Sequence, residues 1–134
     1  MSIAAALATI DLLKREGIAN AGRVGAVMLE RLRRWKQTHP LVGDVRGRGL
    51  MIGIELVKDK ATREPAAEVR NRVETLAFER GLMVLGCGET SLRLSPPLIL
   101  NEHEATVALD ILEEALTLAE KEYEHATALE GARA

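Results

Sequence analysis

A hairpin pattern between Val42 and Leu56 is the feature that most constrains the fold of this chain. Its sequence, VGDVRGRGLMIGIEL, places two short apolar runs on either side of a Gly47-Arg48-Gly49 corner. In the second run every other residue is large and aliphatic, which is the period of a strand with one buried face. The stretch therefore predicts an antiparallel β-hairpin or bent strand. The residues predicted to face the core are Leu50, Ile52, Ile54 and Leu56.

Gly53 interrupts the other face of this predicted second strand. A glycine inside a strand gives up packing and conformational entropy, so it marks either a bulge or a close approach. The residues alone leave both interpretations open: a local bulge at Gly53, or a ligand or another backbone that comes close to it.

Apolar residues at helical spacing and recognisable end signals predict the remaining elements. Gly17 is predicted to end the first helix, since glycine commonly terminates helices. A capping box, Asn101 with Glu104, is predicted to begin the last helix. By number, the predicted elements are helices 2–16, 19–37, 65–80 (Pro65 first, Gly81 as C-cap) and a last one from 102, and strands 82–85 and 91–95 around a turn at 86–89.

The predicted order, α-α-β-β-α-β-β-α, contains neither an internal repeat nor a linker, so residues 1–134 are interpreted as a single domain. We expect an α/β fold of the two-layer α+β type, with a small, mainly antiparallel sheet and helices packed mainly on one face. The tail 126–134 is predicted to fray. The alanine-rich first helix has two open interpretations, packing against another body or high helix propensity alone.

Composition excludes several classes of function. A net charge of -2, a pI near 6.0 and only 2% aromatic residues provide neither a basic nor a stacking surface for nucleic acid. The single cysteine, Cys87, excludes an internal disulfide, and no Cys/His cluster has the spacing of a metal site. Asp11 interrupts the apolar N-terminal stretch, which therefore predicts neither a signal peptide nor a membrane span. We expect a cytoplasmic protein.

Most polar side chains are interpreted as structural or solvated. The cations between Arg31 and Lys36 lie near the end of a predicted helix, where the helix dipole favours positive charge. Cys87 has no activating neighbour in sequence and is interpreted as an inert thiol. The histidines are interpreted as bystanders: His39, His103 and His125.

Arg93 is the candidate binding residue. It lies alone on the strand face opposite Leu92 and Leu94, just before Ser95-Pro96-Pro97. A guanidinium group that a strand holds rigidly is suited to bidentate binding of a carboxylate. On the residues alone, an exposed arginine without a role is the more common case.

Several sequence blocks, in this order and spacing, resemble the C-terminal domain of class III (omega) aminotransferases. The blocks are VGDVRGRGLMIGIEL (42–56), ERGL (79–82), Cys87-Gly88 and LRLSPPL (92–98). The resemblance covers nearly all of residues 3–120. The family includes the 4-aminobutyrate, acetylornithine and ornithine aminotransferases.

The resemblance implies the small C-terminal domain of a fold-type I enzyme that depends on pyridoxal 5'-phosphate. Such an enzyme transfers an amino group from an amine or amino acid, 4-aminobutyrate-like or N-acetylornithine-like, to a 2-oxo acid. By resemblance, Arg93 holds the substrate carboxylate, and residues 1–17 form the helix that joins the small domain to the large one. A homo-oligomer is implied as well.

The family's cofactor lysine and phosphate-binding residues lie in a large domain N-terminal to this region. The resemblance therefore implies no catalytic or cofactor-binding residue in this chain, which is expected to be inactive alone. The amino donor is not readable here. An alternative from another class stays open: a free-standing, non-catalytic α+β module that binds small acids or dimerises, with Arg93 as its anion anchor.

Overall fold

The computed structural model describes residues 2–131, apart from the side chain of residue 130. One layer is an antiparallel sheet in the order β1-β2-β4-β3, and the other is built of helices. This architecture confirms the predicted fold class. The elements are α1 (Ser2–Leu12), a π-helical segment (Leu13–Gly17), α2 (Ile18–Thr38), β1 (Val42–Arg48), β2 (Met51–Leu56), α3 (Ala67–Glu79), β3 (Leu85–Cys87), β4 (Ser91–Leu94) and α4 (Glu102–Gly131).

The central hairpin forms as predicted. β1 and β2 pair antiparallel around a turn at Gly49, whose φ of +58° is a left-handed conformation that glycine adopts without strain. Alternate residues of β2 face the helices, so the hydrophobic period of the sequence becomes the inner face of the sheet. The residues predicted for this face are all buried: Leu50, Ile52, Ile54 and Leu56.

Gly25 of α2 determines how closely that helix approaches the hairpin. A Cβ atom on Gly25 would lie 2.1 Å from the carbonyl oxygen of Gly49, too close for any real contact. Helix α2 therefore crosses the turn backbone against backbone. This approach places Met28 and Leu32 of the same helix in the core.

The prediction that Gly17 ends the first helix is wrong. Gly17 has right-handed helical angles (φ -60°, ψ -45°), and the N–H of Ile18 donates to the carbonyl oxygen of Leu13. This hydrogen bond spans five residues, whereas an α-helical bond spans four, so the turn is π-helical. Helix α1 continues into α2 through this segment. A Cβ atom on Gly17 would lie 3.5 Å from Cδ1 of Leu98, which is an ordinary contact distance.

The end of α3 confirms the prediction for Gly81. Gly81 has a φ of +84° and donates to the carbonyl oxygen of Phe78 at 2.9 Å. The N–H of Leu82 donates to the carbonyl oxygen of Ala77, also at 2.9 Å. These two bonds form the Schellman motif, which satisfies carbonyls that a helix end leaves free.

The start of α3 differs from the prediction. Pro65 is not the first helical residue, because α3 begins at Ala67. Pro65 instead forms an isolated antiparallel bridge with Val57, and the N–H of Ala66 donates to the carbonyl oxygen of Leu56 at 3.3 Å. Pairing with the chain just after β2 therefore outweighs the preference of proline for a helix start.

The third strand lies later in the sequence than predicted. It spans Leu85–Cys87, so Gly86 and Cys87 belong to the strand rather than to the turn. Its limits follow from pairing with β4, since Leu85 faces Arg93 and Cys87 faces Ser91. A short apolar run shows that a strand exists but does not specify which residues find a partner.

The capping box at the start of α4 is confirmed. The N–H of Glu104 donates to Oδ1 of Asn101 at 2.9 Å, and the N–H of Asn101 donates to Oε2 of Glu104 at 3.0 Å. The helix continues to Gly131, beyond Lys121 where the apolar pattern fades. Fraying of the tail stays a prediction, and residues 132–134 lie outside the described residues.

Candidate functional site

One face of the sheet is exposed, and we call it the open face. Its residues alternate along each strand with those that pack against the helices. Met51 is 71% exposed and Leu85 is 52% exposed, so the described chain leaves much of these two apolar side chains uncovered. The register places the open-face residues in cross-strand rows: Arg48 with Met51; Arg46, Gly53, Arg93 and Leu85; Asp44, Glu55, Ser91 and Cys87.

Arg93 lies in the middle row, on β4, where the sheet holds its backbone from both sides. β4 pairs with β2 through Gly53 and with β3 through Leu85. Leu92 and Leu94 are buried against the helices, whereas Arg93 is exposed. The predicted orientation of Arg93 is thus confirmed, and its role stays a prediction.

The arginines of the open face differ in their ion pairs. Arg46 Nη1 lies 2.8 Å from an Oε atom of Glu55 and 3.5 Å from an Oδ atom of Asp44. Within residues 2–131, neither Arg93 nor Arg48 forms an ion pair. Arg48 ends the edge strand β1, whereas Arg93 belongs to an inner strand. Of the two cations without an ion pair, Arg93 therefore has the more rigidly held backbone.

Lys36 of α2 adds a second cation to the Asp44 carboxylate. Its Nζ lies 3.0 Å from Oδ1 of Asp44. This hydrogen bond is the main cause that lowers the pKa of Asp44 below its ordinary value, and Arg46 contributes in the same direction. The carboxylate at this end of the open face is therefore already neutralised by cations of the chain itself.

Gly53 separates Arg46 from Arg93 across the sheet. The bulge interpretation is wrong, because the irregular register lies between Val42 and Asp44. A Cβ atom on Gly53 would meet only Arg46, at 3.9 Å from its Cγ, so no tight backbone approach requires the glycine within the described chain. The interpretation that a ligand comes close stays open. A shallow depression of about 750 Å³ includes Gly53 and both arginines in its lining.

The lysines of the chain lie outside the strands, although Lys36 reaches Asp44 of the open face from α2. They are in the π-helical segment, in α2, in the loop after β2 and in α4: Lys14, Lys36, Lys58, Lys60 and Lys121. Lys60 has a structural role that the sequence did not indicate. Its Nζ donates to the carbonyl oxygens of Lys36 at 2.6 Å and His39 at 2.8 Å, which satisfies the end of α2.

The basic cluster of α2 is mostly exposed, as interpreted from the sequence, but Arg31 is half-buried and has a structural role. Arg31 Nη2 lies 2.6 Å from Asp110 and 2.5 Å from Glu113, and both carboxylates belong to α4.

Cys87 is exposed. Among residues 2–131, no group of His, Cys, Asp and Glu side chains could hold a metal ion. No helix in this described part of the chain is both long and apolar enough to span a bilayer.

Comparison with known proteins identifies the family to which this fold and open face belong. The model of the class-III aminotransferase family matches residues 1–116. Isoleucine 2-epimerase of Lentilactobacillus buchneri is 38% identical over 118 residues, which are 87% of this chain and 26% of that protein. The 4-aminobutyrate aminotransferase of Mycobacterium leprae is 40% identical over 119 residues, again 87% of this chain and 26% of that protein.

Solved structures agree. An amine transaminase from an uncultivated Pseudomonas species, in its PLP-bound form, matches with a TM-score of 0.80 and 40% identity. The match covers 87% of this chain and 27% of that one. The chain belongs to the class-III aminotransferase family. It spans about a quarter of the length of the curated relatives that it matches.

Proposed function

We propose that this chain is the small, C-terminal domain of a pyridoxal-phosphate-dependent transaminase, and that Arg93 binds the substrate carboxylate. The observation that carries the proposal is the contrast between Arg93 and Arg46 on the open face. Arg46 is neutralised by Glu55, whereas Arg93 projects its charge from an inner strand without an ion pair in the described chain. A free guanidinium group on a rigid strand can form two parallel hydrogen bonds to one carboxylate.

The surroundings of Arg93 support a small organic acid as its ligand. Gly53 leaves space on one side, and the half-exposed Leu85 supplies an apolar wall on the other. Binding sites for small molecules are usually apolar with few, well-placed polar groups. Amino acid and 2-oxo acid substrates both carry a carboxylate that Arg93 would hold. Which amino donor is used depends on residues outside this chain.

The residues of this chain do not fit the cofactor itself. Each lysine lies in a helix or in the loop after β2, and Lys60 donates to two carbonyl oxygens at the end of α2. A transaminase needs a lysine that reaches the cofactor, which acts as the electron sink of the reaction. We propose that the remainder of the complete protein supplies this lysine and the phosphate site, and that the isolated chain is inactive. A cytoplasmic homo-oligomer belongs to the same proposal.

A second candidate is an amino acid racemase or epimerase of the same family. It is favoured by the relatives named isoleucine 2-epimerase, leucine/methionine racemase and alanine/serine racemase, at 38% to 42% identity. The carboxylate role of Arg93 would be the same. In the complete protein, product analysis separates the two: a transaminase forms a new 2-oxo acid, whereas an epimerase inverts the α-carbon and leaves the amino group in place.

The experiment compares Arg93→Lys with the matched control Arg48→Lys in the complete protein. Lysine keeps the charge but lacks the fork of two hydrogen bonds. A hydrogen bond to a charged group contributes about 1.5–3 kcal/mol, so Arg93→Lys should reduce kcat/KM for carboxylate-bearing substrates about 10- to 100-fold. Arg48→Lys should leave kcat/KM unchanged. Unchanged kinetics of Arg93→Lys for both the amino acid and the 2-oxo acid would contradict the proposal.

A further inference from the structure

Asn20 of α2 holds the loop that follows the Arg93 strand. Its Nδ2 donates to the carbonyl oxygen of Leu98 at 2.7 Å and to that of Leu100 at 2.9 Å. Its Oδ1 accepts from Nη2 of Arg23 at 2.8 Å, and Arg23 pairs through Nη1 with Glu102 at the start of α4. Only one orientation of the amide fits, since the opposite one would set Oδ1 against two carbonyl oxygens.

The loop between β4 and α4 depends on this anchor because packing does not fill the space beneath it. A cavity of about 380 Å³ lies under Ser95, Pro96 and Pro97, and Met28 of α2 also lines it. Ile99, between the two carbonyls that Asn20 holds, is 90% exposed. The loop is therefore held by the hydrogen bonds to Asn20 together with the partly buried side chain of Leu100.

The two prolines transmit the position of the loop to β4. Each proline has a φ near -65°, and the residue before a proline is also restricted, so Ser95, Pro96 and Pro97 have little conformational freedom. β4 ends at Leu94, the residue after Arg93, and its pairing with the short strand β3 spans only Leu85–Cys87. A displacement of Leu98 thus reaches Arg93 through a stiff connection of a few residues.

We infer that Asn20 is a positioning residue for Arg93: by holding the Leu98 and Leu100 carbonyls, it sets where the guanidinium group points on the open face. This inference rests on the proposed carboxylate role of Arg93. Asn20 contacts neither Arg93 nor the depression on the open face, so it acts only through the loop. The two hydrogen bonds lie a few residues beyond the end of the strand that carries the binding group, at the far side of the stiff Ser95-Pro96-Pro97 connection.

The first test uses the chain itself and Asn20→Asp, which removes both donors and sets a carboxylate against two carbonyl oxygens. The matched control is Asn71→Asp on α3, an exposed asparagine with the same change of charge. We expect Asn20→Asp to shift the NMR resonance of Arg93 Nε and to increase hydrogen exchange at the Leu100 amide, which donates to the carbonyl of Pro97. Asn71→Asp should change neither signal. An unchanged Arg93 Nε resonance in a folded Asn20→Asp chain would overturn the inference.

The second test measures kinetics in the complete protein. Asn20→Asp should lower kcat/KM for a carboxylate-bearing amino acid by up to about 100-fold, the loss that a misplacement of about 1 Å can cause, while kcat/KM for an amine without a carboxylate stays the same. A uniform loss on both substrates would indicate a purely structural role and would overturn the inference. If neither Asn20→Asp nor Arg93→Lys changes the kinetics with either substrate, the proposed function fails together with the inference. If Arg93→Lys shows its effect and Asn20→Asp does not, only the role of Asn20 fails.

Discussion

His39 and Glu120 form a buried pair that joins the end of α2 to α4, with Nδ1 of His39 2.7 Å from Oε2 of Glu120. Both residues are 7% exposed. The second carboxylate oxygen, Oε1, accepts from the N–H of Leu41 at 3.2 Å, so one side chain serves both the histidine and the connection into β1. Buried polar groups of this kind are costly when a partner is lost.

We expect Glu120→Ala to lower the free energy of unfolding by more than a surface substitution does. It leaves Nδ1 of His39 and the N–H of Leu41 without their partner, and each buried unsatisfied group costs about 1–3 kcal/mol. Glu124→Ala, on the exposed part of the same helix, is the matched control and should change little. Urea denaturation followed by circular dichroism measures both. Equal effects of the two substitutions would show that the buried pair does not contribute to stability.

The Asp44–Lys36 pair should make stability depend on pH in acid. The pKa of Asp44 is lowered in the folded chain, so its contribution is fully present above the ordinary Asp pKa of about 3.9 and is lost as pH falls through the folded value. The difference in unfolding free energy between the wild type and Asp44→Asn should thus be constant near neutral pH and shrink below about pH 4. In a Lys36→Met background this difference should be smaller and less dependent on pH. A pH-independent difference in the wild-type background would contradict the assignment.

The contact between Gly25 and Gly49 predicts opposite effects for two glycines of one helix. Gly25→Ala would force its Cβ into the Gly49 carbonyl oxygen, and such overpacking costs about 1–3 kcal/mol or more. Gly22→Ala meets nothing within 4 Å and should stabilise the exposed helix by about 0.5–1 kcal/mol. Thermal unfolding of the two variants measures the contrast. A neutral Gly25→Ala would show that α2 does not cross the turn this closely.

The exposed surface of α1 should drive self-association of the isolated chain. No residue of α1 is buried, and Ile3 is 79% and Leu7 59% exposed. At about 25 cal/mol per Å², a few hundred Å² of covered apolar surface favours association by several kcal/mol before the costs of association are subtracted. Light scattering should find a dimer or larger species, and a version that begins at Gly17 should be closer to monomeric. A full chain that stays monomeric at high concentration would disprove this prediction.

Hydrophobic period and end signals in the sequence determined the order of the elements, the inner face of the hairpin, the capping box at Asn101 and the helix end at Gly81. These features are local, because each depends on residues within a few positions of one another. The outward orientation of Arg93 belongs to the same group, since alternation along one strand decides it.

Only the tertiary structure decided which residues meet across the chain. Leu85–Cys87 is the segment that pairs with β4, since a partner distant in sequence outweighs local preference. Contacts between distant segments also decide the partners of two side chains. Arg46 is neutralised by Glu55, and Asn20 donates to the carbonyl oxygens of Leu98 and Leu100. Local sequence records what a side chain can do, and packing of distant segments determines which partner it has.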